Sequence, residues 1–266
     1  MAMPRSQKDL IRQEFTRQAR SYAATAAVAD PDRVGRLVAA VNPPAQARVL
    51  EVATGPGYVA MGFALACRAV VGADLTLAPL LIAERQRQER GLENVRFLVA
   101  DADRLPFGAE AFDVVVCRFA FHHFEDPPLV LREMTRVCRA GGTVAVEDLV
   151  VSEHPERADY RNRFENLRDP SHTRAYPLSA LLALFTAAGL EIENVSMDSI
   201  TPAVDRWLAN AHTPPAPAAA AKAMIERDAG EDLSGARPYY DNGALFFVQR
   251  TAIVIGRRLR AFPTAG

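Results

Sequence analysis

Short apolar runs alternate with longer amphipathic segments between residues 48 and 150. The apolar runs are rich in valine and bounded by turn residues, which is typical of buried strands. Strands that alternate with helices at this spacing predict a parallel sheet covered on both faces. The five predicted strands are RVLEVA (48–53), AVVGAD (69–74), VRFLVAD (95–101), FDVVVCRFA (112–120) and TVAVEDLVV (143–151).

Three helices are predicted between these strands. YVAMGFALAC follows a Gly-Pro turn, TLAPLLIAERQRQERG is closed by Gly91, and PPLVLREMTRVCRAGG is expected to continue as far as its two glycines. The first 40 residues predict two amphipathic helices broken near Asp30-Pro31. Beyond residue 150, LSALLALFTAAGLEIENVSM predicts a helix and a strand, TPPAPAAAAKAMIERDAGEDLSGARP a helical cap, and ALFFVQRTAIVIGRRL a last strand.

Composition narrows the classes of function. The net charge is -1, and about half of the 266 residues are apolar, as in an ordinary soluble protein. The chain lacks the basic stripe that is typical of nucleic-acid-binding proteins. Its apolar runs are all shorter than the roughly 20 residues that span a bilayer. Cys67, Cys117 and Cys138 lie far apart, so neither a disulfide framework nor a zinc site is expected. We expect a cytoplasmic protein without a secretory leader.

The stretch VLEVATGPGYVAMGFA (49–64) predicts a ligand site where the first strand meets a helix. Its turn has only two glycines and contains Pro56, which has no N–H, so it fits neither the dinucleotide fingerprint nor a phosphate-binding loop. A nicotinamide cofactor is therefore disfavoured. The carboxylate of Glu51 would repel a phosphate and attract a cationic group, although it could instead cap the local turn.

Five segments, in this order and spacing, resemble the class I S-adenosylmethionine-dependent methyltransferases, in particular the branch of the ubiquinone/menaquinone-biosynthesis C-methyltransferases. The resemblance runs from about residue 10 to 150, and more loosely to 260. Ala53 stands where the family has the first glycine of its turn, and we expect binding to survive if the backbone angles there are ordinary. The segments are VLEVATGPGYVA, VVGADLT, VRFLVADADRLPF, FDVVVCRFAFHHFEDP and VLREMTRVCRAGGTVAVED.

The resemblance implies an α/β fold: a Rossmann-like, doubly wound, mostly parallel seven-stranded sheet with an antiparallel last strand and a helical cap over the C-terminal ends of the strands. We expect an N-terminal helical cap over residues 1–45 and an S-adenosylmethionine-binding core over 46–150. Residues 151–266 should complete the sheet and carry an inserted cap or substrate lid.

The resemblance also implies which residues bind the cofactor, S-adenosyl-L-methionine. Asp74 should accept hydrogen bonds from the ribose hydroxyls and Asp101 from the adenine amino group, although both acids could be ordinary strand-end caps. The backbone N–H of Ala102 should donate to the adenine ring, between Leu75 and Leu105. The methionine end should be surrounded by Glu51, Ala53, Thr54, Gly55 and Gly57, with Cys117 or Arg118 beside it. Phe15 and Tyr22 are seven residues apart, near one face of a helix, and could shelter the sulfonium or could instead be a core stripe of a capping helix.

RFAFHHFEDP follows the fourth strand, where an acceptor should lie, and holds the candidate catalytic residues His122 and His123. A histidine suits proton transfer near neutral pH. We favour His122 as the base and His123 as a residue that holds the loop, although both could be structural. His172 is a second candidate. His154 and His212 are expected at the surface, and adjacent histidines are poor chelators, so no metal is expected.

The expected function is methylation of a small organic acceptor, most readily at O or C. The alternative is an enzyme of the same fold that keeps the cofactor as a structural part and performs cyclisation or decarboxylation. A nucleic-acid methyltransferase is disfavoured, since no catalytic tetrapeptide for base amines follows the fourth strand. The expected partner is a small acceptor, and neither a nucleic acid nor a membrane is expected. A homo-oligomer is compatible with the sequence. A flat, moderately apolar acceptor is suggested by Phe164, Tyr176, Trp207, Tyr239, Tyr240 and Phe246.

Overall fold

The computed structural model of the chain describes residues 6–259. The strands are β1 (Arg48–Val52), β2 (Ala69–Asp74), β3 (Val95–Val99), β4 (Phe112–Arg118), β5 (Cys138–Val151), β6 (Tyr176–Pro177), β7 (Leu190–Ile200), β8 (Tyr239–Asp241), β9 (Ala244–Phe246) and β10 (Gln249–Arg258). The helices are α1 (Gln7–Arg17), α2 (Ala19–Ala23), α3 (Ala26–Ala29), α4 (Pro31–Val41), α5 (Tyr58–Ala64), α6 (Leu77–Glu89), α7 (Pro127–Val137), α8 (Pro155–Arg168), α9 (Leu178–Ala187), α10 (Val204–Asn210) and α11 (Pro215–Glu231).

The main sheet has the strand order β3-β2-β1-β4-β5-β10-β7, with the short β6 beside β5. Strands β1 to β5 pair in parallel, and β10 lies antiparallel between β5 and β7. The predicted doubly wound sheet with an antiparallel last strand is confirmed. The strand order reverses between β1 and β4, which is where sheets of this kind open a crevice for ligands.

Two apolar cores cover the two faces of the sheet, because successive side chains of a strand point in opposite directions. Leu50 belongs to the core beneath α7 and α9, whereas its neighbour Val49 belongs to the core beneath α4 and α5. A third cluster lies in the cap between α8, α10 and α11, where Phe164, Trp207 and Phe247 meet edge to face. The cap therefore has an apolar core of its own.

The prediction for the helix before β5 was wrong at its C-terminal end. Helix α7 ends at Val137, and the two glycines lie inside β5. Gly142 is required there because a Cβ atom would come within 2.7 Å of the Asp113 carbonyl oxygen and the Cys138 Sγ. Arg139 also donates to the Asp113 carboxylate at 2.6 Å, which ties the chain to β4. The glycines thus permit close strand approach.

The N-terminal segment forms four helices rather than the predicted two, although α4 does begin at Pro31 after an Asp30 cap. The first break is at Gln18, whose side-chain amide turns inward and donates to Asp169 at 3.2 Å. Phe15 and Tyr22 consequently lie on different helices, not on one face of a single helix. Their rings still touch edge to face, with centroids 5.4 Å apart.

Candidate active site

A first cavity opens at the C-terminal ends of β1, β2 and β4, beneath α1 and α2. It collects most of the residues that were expected to hold the cofactor, from elements far apart in sequence. Those among its lining are Phe15, Tyr22, Glu51, Ala53, Thr54, Gly55, Asp74, Leu75, Ala102, Leu105 and Arg118, together with Phe119 and His123.

Glu51 combines the two roles that the sequence left open. Its Oε2 atom accepts hydrogen bonds from the Ala60 N–H at 2.7 Å and the Thr54 hydroxyl at 2.5 Å, so it anchors the start of α5. Its Oε1 atom has no protein hydrogen-bond partner among residues 6–259. Burial raises the pKa of this carboxyl to about 8. A cationic group in the cavity would favour its charged form.

The turn after β1 depends on left-handed backbone. Gly57 has φ +79°, and a Cβ atom there would lie 2.7 Å from the Phe97 ring, so glycine is needed both for its conformation and for space. Ala53 has φ +55°. The condition of ordinary backbone angles, on which the expected cofactor binding depended, is therefore not met, and the alanine carries the strain of a left-handed L-residue.

Replacing Ala53 by glycine should relieve this strain. We expect Ala53→Gly to leave the fold intact and to raise the free energy of unfolding by up to about 1 kcal/mol, the balance between the left-handed penalty and the greater unfolded-state freedom of glycine. Urea unfolding followed by circular dichroism measures the change. The control is the reverse exchange, Gly35→Ala, in the middle of α4, where an added Cβ atom would have no neighbouring atom within 4 Å. A marked loss of stability in Ala53→Gly would contradict this account.

Asp74 lies at the end of β2 with both carboxylate oxygens engaged. Oδ2 accepts from the Gly55 N–H and Oδ1 from the Thr76 N–H, each at 2.8 Å. Burial raises the pKa of this carboxyl to about 6. Each oxygen retains a lone pair, so Asp74 ties β1 to β2 and can still accept bonds from a ligand.

Asp101 and Cys117 are not among the residues that line the first cavity. Asp101 instead forms an ion pair with Lys8 of α1 at 2.6 Å and accepts from the Asp103 N–H. Cys117 is fully buried in β4, and burial raises the pKa of its thiol well above the usual value. Gly57 is likewise outside the lining. The cofactor roles of all three stay predictions.

Arg118, the last residue of β4, and Phe119, which follows it, line the first cavity side by side. Arg118 is buried and donates through Nη2 to the Val28 carbonyl, whereas its Nη1 is buried and has no hydrogen-bond partner within residues 6–259. Phe119 has φ +52°, which is rare for a bulky residue, and its ring lies 5.1 Å from the Arg118 guanidinium carbon. Such strained residues concentrate at functional sites.

A second cavity, of about 360 Å³, lies between the N-terminal helices and the cap. It shares Phe15, Tyr22, Val28, Phe119 and His123 with the first cavity, so the two spaces adjoin. Further polar and aromatic residues of its lining include Gln18, His122, Arg168, Asp169, Arg206, Trp207, Phe246 and Gln249.

His122 forms a pair with Asp148 of β5. The His122 Nδ1 atom lies 2.5 Å from Asp148 Oδ1, and that carboxylate also accepts from the backbone N–H groups of His122 and Leu149. Burial lowers the pKa of His122, but the charge and hydrogen bond of Asp148 outweigh it, so the pKa is raised above 6.5. Because Nδ1 faces the carboxylate, Nε2 is the atom available to a ligand.

His123 and His172 differ from His122 in both contacts and charge. His123 Nδ1 lies 3.0 Å from the Ser171 carbonyl, and burial together with the neighbouring His122 lowers the pKa of His123 to about 4. His172 donates from Nε2 to the Asn162 side chain at 2.8 Å, lines neither cavity, and has a pKa well below the usual range because it is buried. His154 and His212 are exposed, as predicted.

The aromatic residues proposed for the acceptor are divided among four places, and one of them, Tyr176, lies half-buried in β6 outside the lining of both cavities. Trp207 and Phe246 line the second cavity, Phe164 is in the core of the cap, and Tyr239 and Tyr240 are exposed on the β8–β9 hairpin. No group of three or more His, Cys, Asp or Glu residues within 6–259 is arranged to hold a metal ion. Within the same residues, no helix is long and apolar enough to cross a membrane.

Sequence reasoning missed the pairing of Asp148 with His122 and the polar residues Gln18 and Arg168. The pairing of Asp148 with His122 could have been predicted from the strands. Arg118 and Glu147 are register partners in the parallel pair β4–β5, so the residues that follow them meet at one edge of the sheet. Gln18 and Arg168 have no comparable signal, because Gln18 reaches the cavity from the break between α1 and α2 and Arg168 from the end of α8.

Comparisons with known proteins agree with the fold that carries these cavities. A family model described as "Methyltransferase domain" matches residues 50–146. The "Uncharacterized methyltransferase YcgJ" of Bacillus subtilis is 32% identical over 200 residues, which cover 75% of this chain and 79% of that protein. The crystal structure of the YcgJ protein superposes with a TM-score of 0.81 at 27% identity, covering 86% of this chain and 99% of the other.

A relative that matches over a shorter stretch is the "Demethylmenaquinone methyltransferase" of Thermus thermophilus, 47% identical over 103 residues, or 37% of this chain and 46% of that protein. Residues 50–146, which match the family model, run from β1 to β5 and include the turn after β1, Asp74 and the histidine pair. Together with the strand order and the cavity at the switch point, these similarities establish that the chain belongs to the class I S-adenosylmethionine-dependent methyltransferases.

Proposed function

We propose that the chain transfers a methyl group from S-adenosyl-L-methionine to an oxygen or an acidic carbon of a small, largely flat acceptor bound in the second cavity. The observation that carries the proposal is the adjacency of the two cavities, which share Phe15, Tyr22, Phe119 and His123. A donor in the first and an acceptor in the second would meet at this shared wall. Methyl transfer is an in-line displacement, for which positioning is the main contribution of the protein.

The first cavity fits the cofactor on its own chemistry. One oxygen of Glu51 and the Nη1 atom of Arg118 have no hydrogen-bond partner in the part of the chain that the structure describes, and both residues line this cavity. These groups would bind the ammonium and the carboxylate of the methionine moiety, and Asp74 would bind the ribose hydroxyls. When bound, the cofactor supplies the electrophilic methyl group and the leaving group.

The acceptor of an O- or C-methylation must lose a proton. His122 is placed to accept it, because Asp148 holds Nδ1–H and so directs the basic Nε2 away from the carboxylate. The Asp148 charge would also stabilise the imidazolium that forms. His123, whose pKa of about 4 keeps it neutral, would serve as a fixed hydrogen-bonding wall.

The relatives support an acceptor with a ring. The name of the Thermus thermophilus protein indicates a demethylated menaquinone as its acceptor. The second cavity is lined by five aromatic rings: those of Phe15, Tyr22, Phe119, Trp207 and Phe246. Phenols, enols and quinols fit both this surface and a histidine base.

A panel of such compounds tests the proposal. Each is incubated with the protein and S-adenosyl-L-methionine, and the release of S-adenosylhomocysteine is followed by mass spectrometry. We expect release that depends on the acceptor and a product heavier by one methyl group. Conversion of an acceptor without either signal would contradict the proposal.

The activity should also depend on pH through His122. A base must be unprotonated, so kcat/KM should rise with pH and level off above a pKa higher than 6.5. Asp148→Asn removes the charge that favours the imidazolium, so the same rise should occur at lower pH, with a lower plateau because the charged form is no longer stabilised. A pH profile of the two proteins measures this. An unmoved pKa in Asp148→Asn would show that another group titrates.

A further inference from the structure

Arg168, the last residue of α8, is fixed at the second cavity without an acidic partner. Its Nε donates to the Trp207 carbonyl at 3.1 Å, and its guanidinium carbon lies 4.9 Å from the Trp207 ring centroid. Its two Nη atoms have no protein hydrogen bond or ion pair among residues 6–259. The planar fork is therefore held in place while both of its outer donors are unused.

Two other arginines of α8 form ion pairs. Arg161 forms an ion pair with Glu165 at 2.6 Å, and Arg157 one with Asp232 at 2.9 Å. Asp169 is the residue next to Arg168, but its carboxylate is already occupied by Gln18 and by the N–H and hydroxyl groups of Ser171. The unused fork of Arg168 is thus a distinct feature of the cavity lining.

The lining of this cavity has an excess of positive charge. Besides Arg168 it contains Arg206, which follows Asp205 on α10, is exposed, and has no ion-pair partner within the described chain. Among the described residues, Asp169 is the one acidic residue that lines this cavity. The excess of one positive charge matches a monoanion such as a carboxylate better than a phosphate monoester, which carries about -1.5 to -2 at neutral pH.

We propose that the acceptor is a small aromatic or enolic carboxylate whose carboxylate group is bound by Arg168, with Arg206 adding a second positive charge beside Trp207. This inference rests on the proposed function, since it names the class of acceptor for the same cavity. The fork geometry of a guanidinium matches a carboxylate through two parallel hydrogen bonds. The aromatic lining would hold the body of the acceptor, and the hydroxyl or acidic carbon would face His122.

Matched acids and esters test the proposal. The protein saturated with S-adenosylhomocysteine is titrated by calorimetry with hydroxybenzoates and hydroxynaphthoates and with their methyl esters. We expect at least one acid to bind about 10- to 100-fold more tightly than its ester, the range of a charge-assisted bidentate contact. Trp207 is the sole tryptophan of the sequence, so a change in its fluorescence would place the bound acid beside Arg168.

Arg168→Gln should remove this preference, weakening the acid by a similar factor and leaving the ester unchanged. Arg163→Gln is the matched control: Arg163 is an exposed arginine of the same helix, stacked 5.1 Å from the Tyr160 ring, and it lines neither cavity. Arg206→Gln should have a smaller effect, because the exposed charge is screened by solvent.

Three results would overturn the proposal: no acid binding better than its ester, equal losses for acid and ester in Arg168→Gln, or equal losses in Arg163→Gln. Methyl transfer separates this inference from the proposed function. Esters methylated as well as acids would remove the carboxylate and leave the methyltransferase activity in place. An acid that binds through Arg168 and is never methylated would leave the carboxylate site in place and count against the proposed methyl transfer.

Discussion

Replacing His122 by alanine should lower kcat by about 10²- to 10⁴-fold, the usual contribution of general acid–base catalysis. The reason is the His122–Asp148 pair, which presents a basic nitrogen at the second cavity and stabilises its protonated form. Cofactor affinity should change little, because His122 does not line the first cavity. The loss should shrink at high pH, where the acceptor ionises without help.

Two measurements make this result decisive. Steady-state kinetics gives kcat, and calorimetry with S-adenosylhomocysteine gives the cofactor affinity of the same preparation. His154→Ala replaces an exposed histidine at the start of α8 and should match the wild type in both. A His122→Ala protein that binds donor and acceptor and turns over at the wild-type rate would show that positioning alone is sufficient.

Asp74→Ala should weaken cofactor binding by about 1–3 kcal/mol, or about 5- to 150-fold in Kd, because a charged hydrogen-bond acceptor is lost from the first cavity. The fold should persist, since its core lies on the two faces of the sheet. Calorimetric titration with S-adenosylhomocysteine measures the effect.

The control must account for the backbone bonds that Asp74 also accepts. Asp126→Ala removes another carboxylate that accepts from the backbone, at 2.9 Å from the Leu129 N–H, but one outside both cavities. It should lower stability without changing cofactor affinity. Equal affinities for the wild type and Asp74→Ala would remove the ribose-binding role from Asp74.

The sheet could be predicted from the sequence because both of its faces are buried. Strands of this kind are nearly continuous apolar runs, and the helices between them have periodic apolar faces. The Gly141-Gly142 pair was misread because glycines commonly end helices, whereas Gly142 here allows β5 to approach β4. Local pattern cannot distinguish a turn from a close contact between strands.

More residues of the first cavity than of the second could be predicted from the sequence, again because of the parallel strands. Glu51 and Asp74 stand at the ends of parallel strands, whose positions follow from the strand order. Arg168 and Trp207, in contrast, are 39 residues apart and meet only because α8 packs beside α10. The strain at Ala53 was also hidden, because a side chain does not reveal its φ angle. The catalytic and cofactor roles of individual residues stay predictions.

Transfer of an isotope-labelled methyl group tests the central claim most directly. The protein is incubated with S-adenosyl-L-methionine carrying a deuterated methyl group and with each acid or ester that binds. The masses of the products are measured by mass spectrometry. We expect the product to carry the intact labelled methyl group, with one S-adenosylhomocysteine formed per product. A product formed without label, while the cofactor remains unconsumed, would contradict the account and favour cyclisation or decarboxylation on the same fold.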